Sequence, residues 1–118
     1  MRLRNALMGA LWLLCASLVS VHAFDGLYYP KDDPEPWNCK AEDIGQYGGS
    51  LGVQEDKLYG VENTCTLTSP RTTVYGLEFI GLCSGEGDEY REIITLLRTP
   101  MGLTVTSNGH KSEWLQCP

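Results

Sequence analysis

Residues 57–68 read K-L-Y-G-V-E-N-T-C-T-L-T, a run in which apolar and polar side chains alternate. Successive side chains of a β-strand point to opposite faces of the sheet, so this run predicts one strand with a dry face and a wet face. The predicted dry face consists of Tyr59, Val61, Cys65 and Leu67, and the predicted wet face of Glu62, Thr64, Thr66 and Thr68.

The rest of the chain beyond Trp37 repeats this pattern in short β-rich runs separated by Gly, Pro, Asn and Ser. The other predicted strands are 50–53, 72–83, 90–98, 103–106 and 112–117, and the motifs S-P-R-T, T-P-M-G and S-N-G-H are predicted turns. Short connections between successive strands indicate an antiparallel meander. We therefore predict an all-β domain that curls into a small barrel or coiled sheet, closed by Trp37 and Trp114, with no helix longer than about two turns.

The strand predicted at 72–83 is apolar on both faces. One face carries Tyr75, Leu77, Phe79 and Cys83, and the other carries Val74, Ile80 and Leu82. A strand with two apolar faces is typical of a central position, with packed structure on both sides.

The amino terminus has the features of a secretory signal peptide: two arginines, an apolar run from Ala6 to about Val19, and small side chains before a cleavage site after Ala23. The apolar run is shorter than the ~20 residues that span a bilayer. Residues 24–36 are rich in Pro and Asp and predict an extended leader, so the β domain is expected at 37–118.

Charge narrows the range of partners. Removing Arg2 and Arg4 with the signal leaves seven basic and 15 acidic residues, a net charge of −8. This sign excludes nucleic-acid binding through phosphate neutralisation and disfavours anionic membranes. Three explanations of the acidity remain: binding to a basic protein, binding of a cation, and solubility alone. The sequence leaves the oligomeric state open.

Four cysteines stay after signal cleavage: Cys39, Cys65, Cys83 and Cys117. An even number in a small exported chain predicts two disulfides, and the spacing lacks the C-x(2–4)-C pair of a zinc site. With a turn near Pro70, Cys65 and Cys83 would lie too far apart to bond. The expected pairing is therefore Cys39 with Cys65 and Cys83 with Cys117, in preference to the crossed alternative of Cys39 with Cys83 and Cys65 with Cys117.

Candidates for catalysis are few. His110 is the only histidine beyond the predicted signal peptide, it lies in the S-N-G-H turn, and no nucleophile motif accompanies it. A domain this small also offers little cleft for a pair of catalytic carboxylates. We expect no enzyme activity and no cofactor.

The segment 83–91, C-S-G-E-G-D-E-Y-R, is the candidate binding site. We expect Gly85 and Gly87 to turn the backbone with positive φ, while Ser84, Glu86, Asp88 and Glu89 present polar groups and Tyr90 anchors the loop in the sheet. A cation is one ligand for such carboxylates, although the spacing does not match an EF-hand loop. A solvated hairpin tip without a ligand is the other interpretation.

Residues 84–90 also have the form S-G-x-G-x-x-Y, which resembles the loop S-G-S-G-A-x-Y of the exported bacterial C-type lysozyme inhibitors. Ser84, Gly85, Gly87 and Tyr90 match, whereas Glu86 and Asp88 replace Ser and Ala. The family's second motif, ending T-K-G, has no good copy, and Lys111 is the nearest lysine. The resemblance implies a small exported β-barrel whose loop enters the active-site cleft of a lysozyme.

Two classes of function follow from the sequence. The first is a periplasmic or secreted binding module, inhibitor-like, that uses residues 84–90 on a basic protein. The second is a structural or accessory envelope protein, or a weak cation-binding domain, in which the loop is a charged tip.

Overall fold

The computed structural model describes residues 20–118, which form eight β-strands and two single-turn 3₁₀ helices, Val21–Phe24 and Ala41–Asp43. The strands are Gly26–Pro30 (β1), Leu51–Gln54 (β2), Lys57–Gly60 (β3), Asn63–Thr73 (β4), Gly76–Gly85 (β5), Asp88–Thr99 (β6), Gly102–Ser107 (β7) and His110–Gln116 (β8). No helix among residues 20–118 is long and apolar enough to cross a membrane. The predicted signal peptide falls almost wholly outside the described residues.

The strands pair in sequence order, each antiparallel to the next, and β1 pairs with β8 to close the barrel. Tyr28 lies opposite Gln116 in this closing ladder. The prediction of an all-β antiparallel fold is thereby confirmed, and of the two architectures expected the barrel is the one formed. Closure pairs the backbone of every strand on both sides, which leaves no free sheet edge.

The interior is filled by the inward-facing side chains of all eight strands, as expected for a barrel of this strand number. The largest side chains that are fully buried belong to Tyr28, Val53, Phe79, Ile94, Leu96 and Leu103. Trp114 is also buried, with its ring centroid 6.0 Å from that of Tyr28. Two disulfides, Cys39–Cys117 and Cys65–Cys83, reinforce this core.

The first strand corrects the expectation of an extended leader at 24–36. Gly26–Pro30 pairs with both β2 and β8, and Tyr28 is completely buried with its hydroxyl donating a 2.6 Å hydrogen bond to the Phe24 carbonyl. Apart from Asp25, the Pro and Asp residues that suggested a leader lie at the last position of this strand and after it, from Pro30 onward. The barrel therefore begins about ten residues before the predicted boundary at Trp37.

The predicted disulfide pairing was wrong because the turn between β4 and β5 was misplaced. Ser69 and Pro70 lie within β4, where the register with β5 shifts between Thr68 and Arg71, and the chain reverses at Val74 and Tyr75 instead. Moving the turn by about four residues changes the register by about eight, which brings Cys65 directly opposite Cys83. These two cysteines form one bridge, and Cys39 joins the segment after β1 to the end of β8 through Cys117.

The run 57–68 is also two strands instead of one. Val61 and Glu62 form a tight turn between β3 and β4, with Gly60 opposite Asn63 and Glu62 at φ 57°. The turn breaks the predicted alternation, so Leu58 is buried together with Cys65 and Leu67, whereas Val61 is exposed. The alternation from Asn63 onward was read correctly.

Candidate functional site

The candidate loop is the tip of the β5–β6 hairpin, joined by the two residues Glu86 and Gly87. Both have left-handed backbones, with φ 51° and 82°, and Gly85 lies opposite Asp88 at the last rung of the ladder. Positive φ at both central residues is the mark of the hairpin turns whose twist matches that of the flanking strands. The expectation that Gly85 and Gly87 would take positive φ was wrong for the first, because Glu86 occupies that position.

Gly85 serves close packing. A Cβ at this position would lie 2.9 Å from the Asn63 Cβ and 3.1 Å from the Glu62 carbonyl oxygen. The missing side chain lets the β3–β4 turn lie directly against the β5–β6 hairpin. Two hairpin tips are therefore joined into one surface.

The predicted site residues divide between the two faces of the sheet. Ser84 and Glu89 are exposed and lie opposite each other, while Glu86 and Asp88 are exposed at the tip. Tyr90 instead lies opposite Cys83 and packs, half-buried, against the core. Its hydroxyl oxygen accepts a 3.4 Å hydrogen bond from Asn63 Nδ2, a contact between the two hairpins.

A shallow groove runs between the two tips. The residues that line it are Ile44, Gly45, Tyr59, Glu62, Asn63, Thr64, Ser84, Gly85, Gly87, Asp88 and Glu89. The Glu62 backbone N–H donates a 2.8 Å hydrogen bond to the Gly45 carbonyl, so the long segment between β1 and β2 forms one wall. The contributions of Tyr59, Glu62 and Asn63 were missed from the sequence because the turn at Val61 and Glu62 was read as strand.

Acidic side chains dominate this surface. Glu62 comes from one tip, and Glu86, Asp88 and Glu89 come from the other, all of them exposed. The ion pairs among residues 20–118 are His22–Asp25, Lys31–Glu113 and Arg71–Glu78, so none of the four carboxylates is neutralised by a neighbour within that part of the chain. Unpaired surface carboxylates close together produce a local negative potential.

The structure does not gather these carboxylates into a cation site. Over residues 20–118, the one group of three acidic, histidine or cysteine side chains whose ligand atoms lie within 4.8 Å of one another is Cys65, Cys83 and Glu92. Both cysteines of that group form a disulfide. The third member of the group, Glu92, accepts a hydrogen bond on its carboxylate from the Ser107 hydroxyl.

Comparisons of the chain with protein families, with curated proteins and with solved structures found no match. His110 and Lys111, the other residues considered from the sequence, are exposed at the start of β8 beyond the Asn108–Gly109 turn.

The turn itself offers a test of the hairpin geometry. We expect Glu86→Asn to raise the free energy of unfolding by about 0.5–1 kcal/mol, because asparagine tolerates the left-handed backbone that strains glutamate. Gly87→Ala should lower it by about 1 kcal/mol, because alanine is strained at φ 82°. Urea denaturation of both variants would measure these opposite shifts. A loss of stability in Glu86→Asn would contradict the assigned turn.

Proposed function

We propose that this protein is an exported binding module that acts by association and not by turnover, with the joined β3–β4 and β5–β6 tips as its recognition surface. Its two disulfides support export, because disulfides form and persist in oxidising compartments such as the periplasm or the extracellular space. The observation that carries the proposal is a set of four exposed, unpaired carboxylates on the joined tips. Glu62, Asp88 and Glu89 line the groove, and Glu86 lies at the β5–β6 turn beside it.

The chemistry of this surface favours a basic protein as the partner. Backbone hydrogen bonds and the Gly85 contact hold both tips in place before binding, so little conformational entropy is lost on association. The predicted net charge of −8 would attract a cationic partner over distances beyond direct contact. A C-type lysozyme is the partner class that the loop resemblance suggests.

The acidic residues also restrict how such a partner is engaged. A lysozyme carries two catalytic carboxylates in its cleft, and Glu86 and Asp88 would be repelled if they lay beside that pair. We therefore expect the tips to contact Arg and Lys side chains at the rim of the cleft. The contact would block access to the cleft without a carboxylate entering it.

The test removes charge from the tip while keeping the shape of the side chains. We expect Glu86→Gln with Asp88→Asn to weaken binding to a C-type lysozyme by about tenfold or more, since each change removes a charge-assisted contact. Stability should change by less than about 0.5 kcal/mol, because exposed turn charges contribute little to folding. Isothermal titration calorimetry and thermal unfolding measure the two effects.

A matched control exists at the opposite end of the barrel. Glu55 and Asp56 also form a two-residue turn, between β2 and β3, and both are exposed. Glu55→Gln with Asp56→Asn removes the same net charge and should leave lysozyme affinity within about twofold of wild type at moderate salt. Equal losses in both variants, or no binding by the wild type at millimolar lysozyme, would refute the proposed recognition surface. A calcium-dependent rise in melting temperature that only the tip variant loses would identify a cation site instead.

A further inference from the structure

The outer face of the β5–β6 hairpin carries large apolar side chains that the barrel leaves uncovered. Leu82, Ile93 and Leu97 are 43%, 49% and 46% exposed, and Val74 and Tyr75 at the β4–β5 turn are 92% and 78% exposed. The sequence led us to expect packed structure over this face. A closed barrel has one layer only, so the second apolar face of β5 points away from the core.

We call these side chains the outer stripe and define it as Val74, Tyr75, Ile80, Leu82, Ile93 and Leu97. The outward-facing pair Glu78 and Thr95 lies within the stripe, between the Ile80–Ile93 pair and Leu97. Ile80 lies directly opposite Ile93 in the middle of the hairpin. At one end, a Cβ on Gly76 would lie 3.2 Å from the Leu97 Cβ, so the Val74–Tyr75 turn adjoins Leu97. At the other end, Leu82 lies opposite Arg91.

Charge distinguishes this face from the rest of the surface. Glu78, within the stripe, forms a 2.8 Å ion pair with Arg71, and Glu89 and Arg91 lie two residues apart on the outer face of β6 at the far end. When Glu89 is counted, which also belongs to the acidic tips, two arginines and two glutamates give the face no net charge, although the whole chain has a net charge of −6. Two copies that approach through this face therefore meet with the least mutual repulsion and offer both signs to each other.

We propose that two copies of this chain associate through the outer stripe about a two-fold axis, with the two stripes running in opposite directions. A two-fold axis makes the interface self-complementary, with the Glu78–Thr95 pair near its centre and Ile93 of one copy against Leu97 of the other. The opposite direction brings Arg91 of one copy to the Tyr75 ring of the other, where a cation–π contact replaces hydration. The joined acidic tips of one copy then project from one end of the dimer, and those of the other copy project from the opposite end, so both recognition surfaces stay free.

The size of the stripe sets the strength of the association. From Gly76 to Leu82 the stripe is about 20 Å long at ~3.3 Å per residue, and it is two to three strands wide. This is smaller than the ~800 Å² per partner of a standard interface, although the projecting Val74 and Tyr75 enlarge it. We expect a concentration-dependent dimer with a Kd of about 10 µM to 1 mM.

Sedimentation velocity of the purified protein from about 5 µM to 1 mM tests the dimer over this range of Kd. The wild type should shift from monomer to dimer as the concentration rises. Ile93→Glu and Leu97→Gln change residues that meet across the proposed interface, and each should raise the Kd at least tenfold. Both residues are on the outer face, so the melting temperature measured at low concentration should match that of the wild type.

Met101→Glu is the matched control, because Met101 is 69% exposed on the β6–β7 turn and lies outside the stripe. This variant should dimerise like the wild type. A wild type that stays monomeric throughout, or a dimer weakened equally by Met101→Glu, would overturn the proposal. Binding to lipid vesicles by a monomeric wild type would assign the stripe to a membrane surface instead and would also overturn it. None of these three outcomes depends on lysozyme affinity.

Discussion

Replacing Cys39 and Cys117 together with alanine should lower the free energy of unfolding by about 4 kcal/mol, a large share of the stability of a small domain. The bridge spans 78 residues and therefore restricts the unfolded chain more than a short loop would. It also holds the segment between β1 and β2 against the end of β8. Urea denaturation under non-reducing conditions would measure the loss.

The same experiment on Cys65 and Cys83 provides a comparison. This bridge closes only 18 residues between strands that are already paired, so its removal should cost about 3 kcal/mol.

Thiol counts distinguish the pairings without reference to stability. In protein that has lost Cys15 with the predicted signal peptide, each of these two double variants should contain no free thiol after unfolding, whereas Cys39→Ala with Cys65→Ala should contain two. Free thiols in the first two variants would refute the observed connectivity.

Tyr28→Ala should destabilise the barrel by about 3–5 kcal/mol, because it leaves a cavity where a large, fully buried ring packs against Trp114. Tyr28→Phe should cost only about 1–2 kcal/mol, for the lost hydrogen bond to the Phe24 carbonyl. Chemical denaturation of both variants separates the packing of the ring from the bonding of its hydroxyl.

Tyr29 supplies the control for this pair. It is the next residue along β1, its side chain points to the other face, and it is only partly buried. Tyr29→Ala should cost less than about 1 kcal/mol. Similar effects at Tyr28 and Tyr29 would mean that β1 is not a strand of the barrel with an inner and an outer face.

The features that the sequence predicted correctly depend on local patterns. Alternation from Asn63 to Leu67 and the turns at Pro100 and Asn108–Gly109 all reflect short-range backbone preferences. These signals were enough for the class of fold, the order of most strands and the position of the acidic tip.

The errors share a different cause, which is competition between local signals and long-range pairing. Pro70 is a strong turn signal, but β4 accommodates it at an irregularity in the ladder, and the chain reverses at the β-favouring pair Val74 and Tyr75. β1 has only five residues, and its partners are β2 and a strand near the far end of the sequence. The groove was missed for a similar reason, because Glu62 reaches Gly85 only through the register of β4 and β5.

The pairing of β1 with β8 also sets the order in which the molecule can be assembled. Tyr28 and Gln116 are neighbours in the sheet although 88 positions separate them in the chain. Contacts between such distant residues form late and slow the folding of β-proteins. Until β8 has been synthesised and docked, β1 and β7 each lack the partner strand on one side, and these unpaired edges can bind other chains. The greatest risk of aggregation therefore falls in the interval before β8 has docked, because only the closed barrel has no unpaired edge strand.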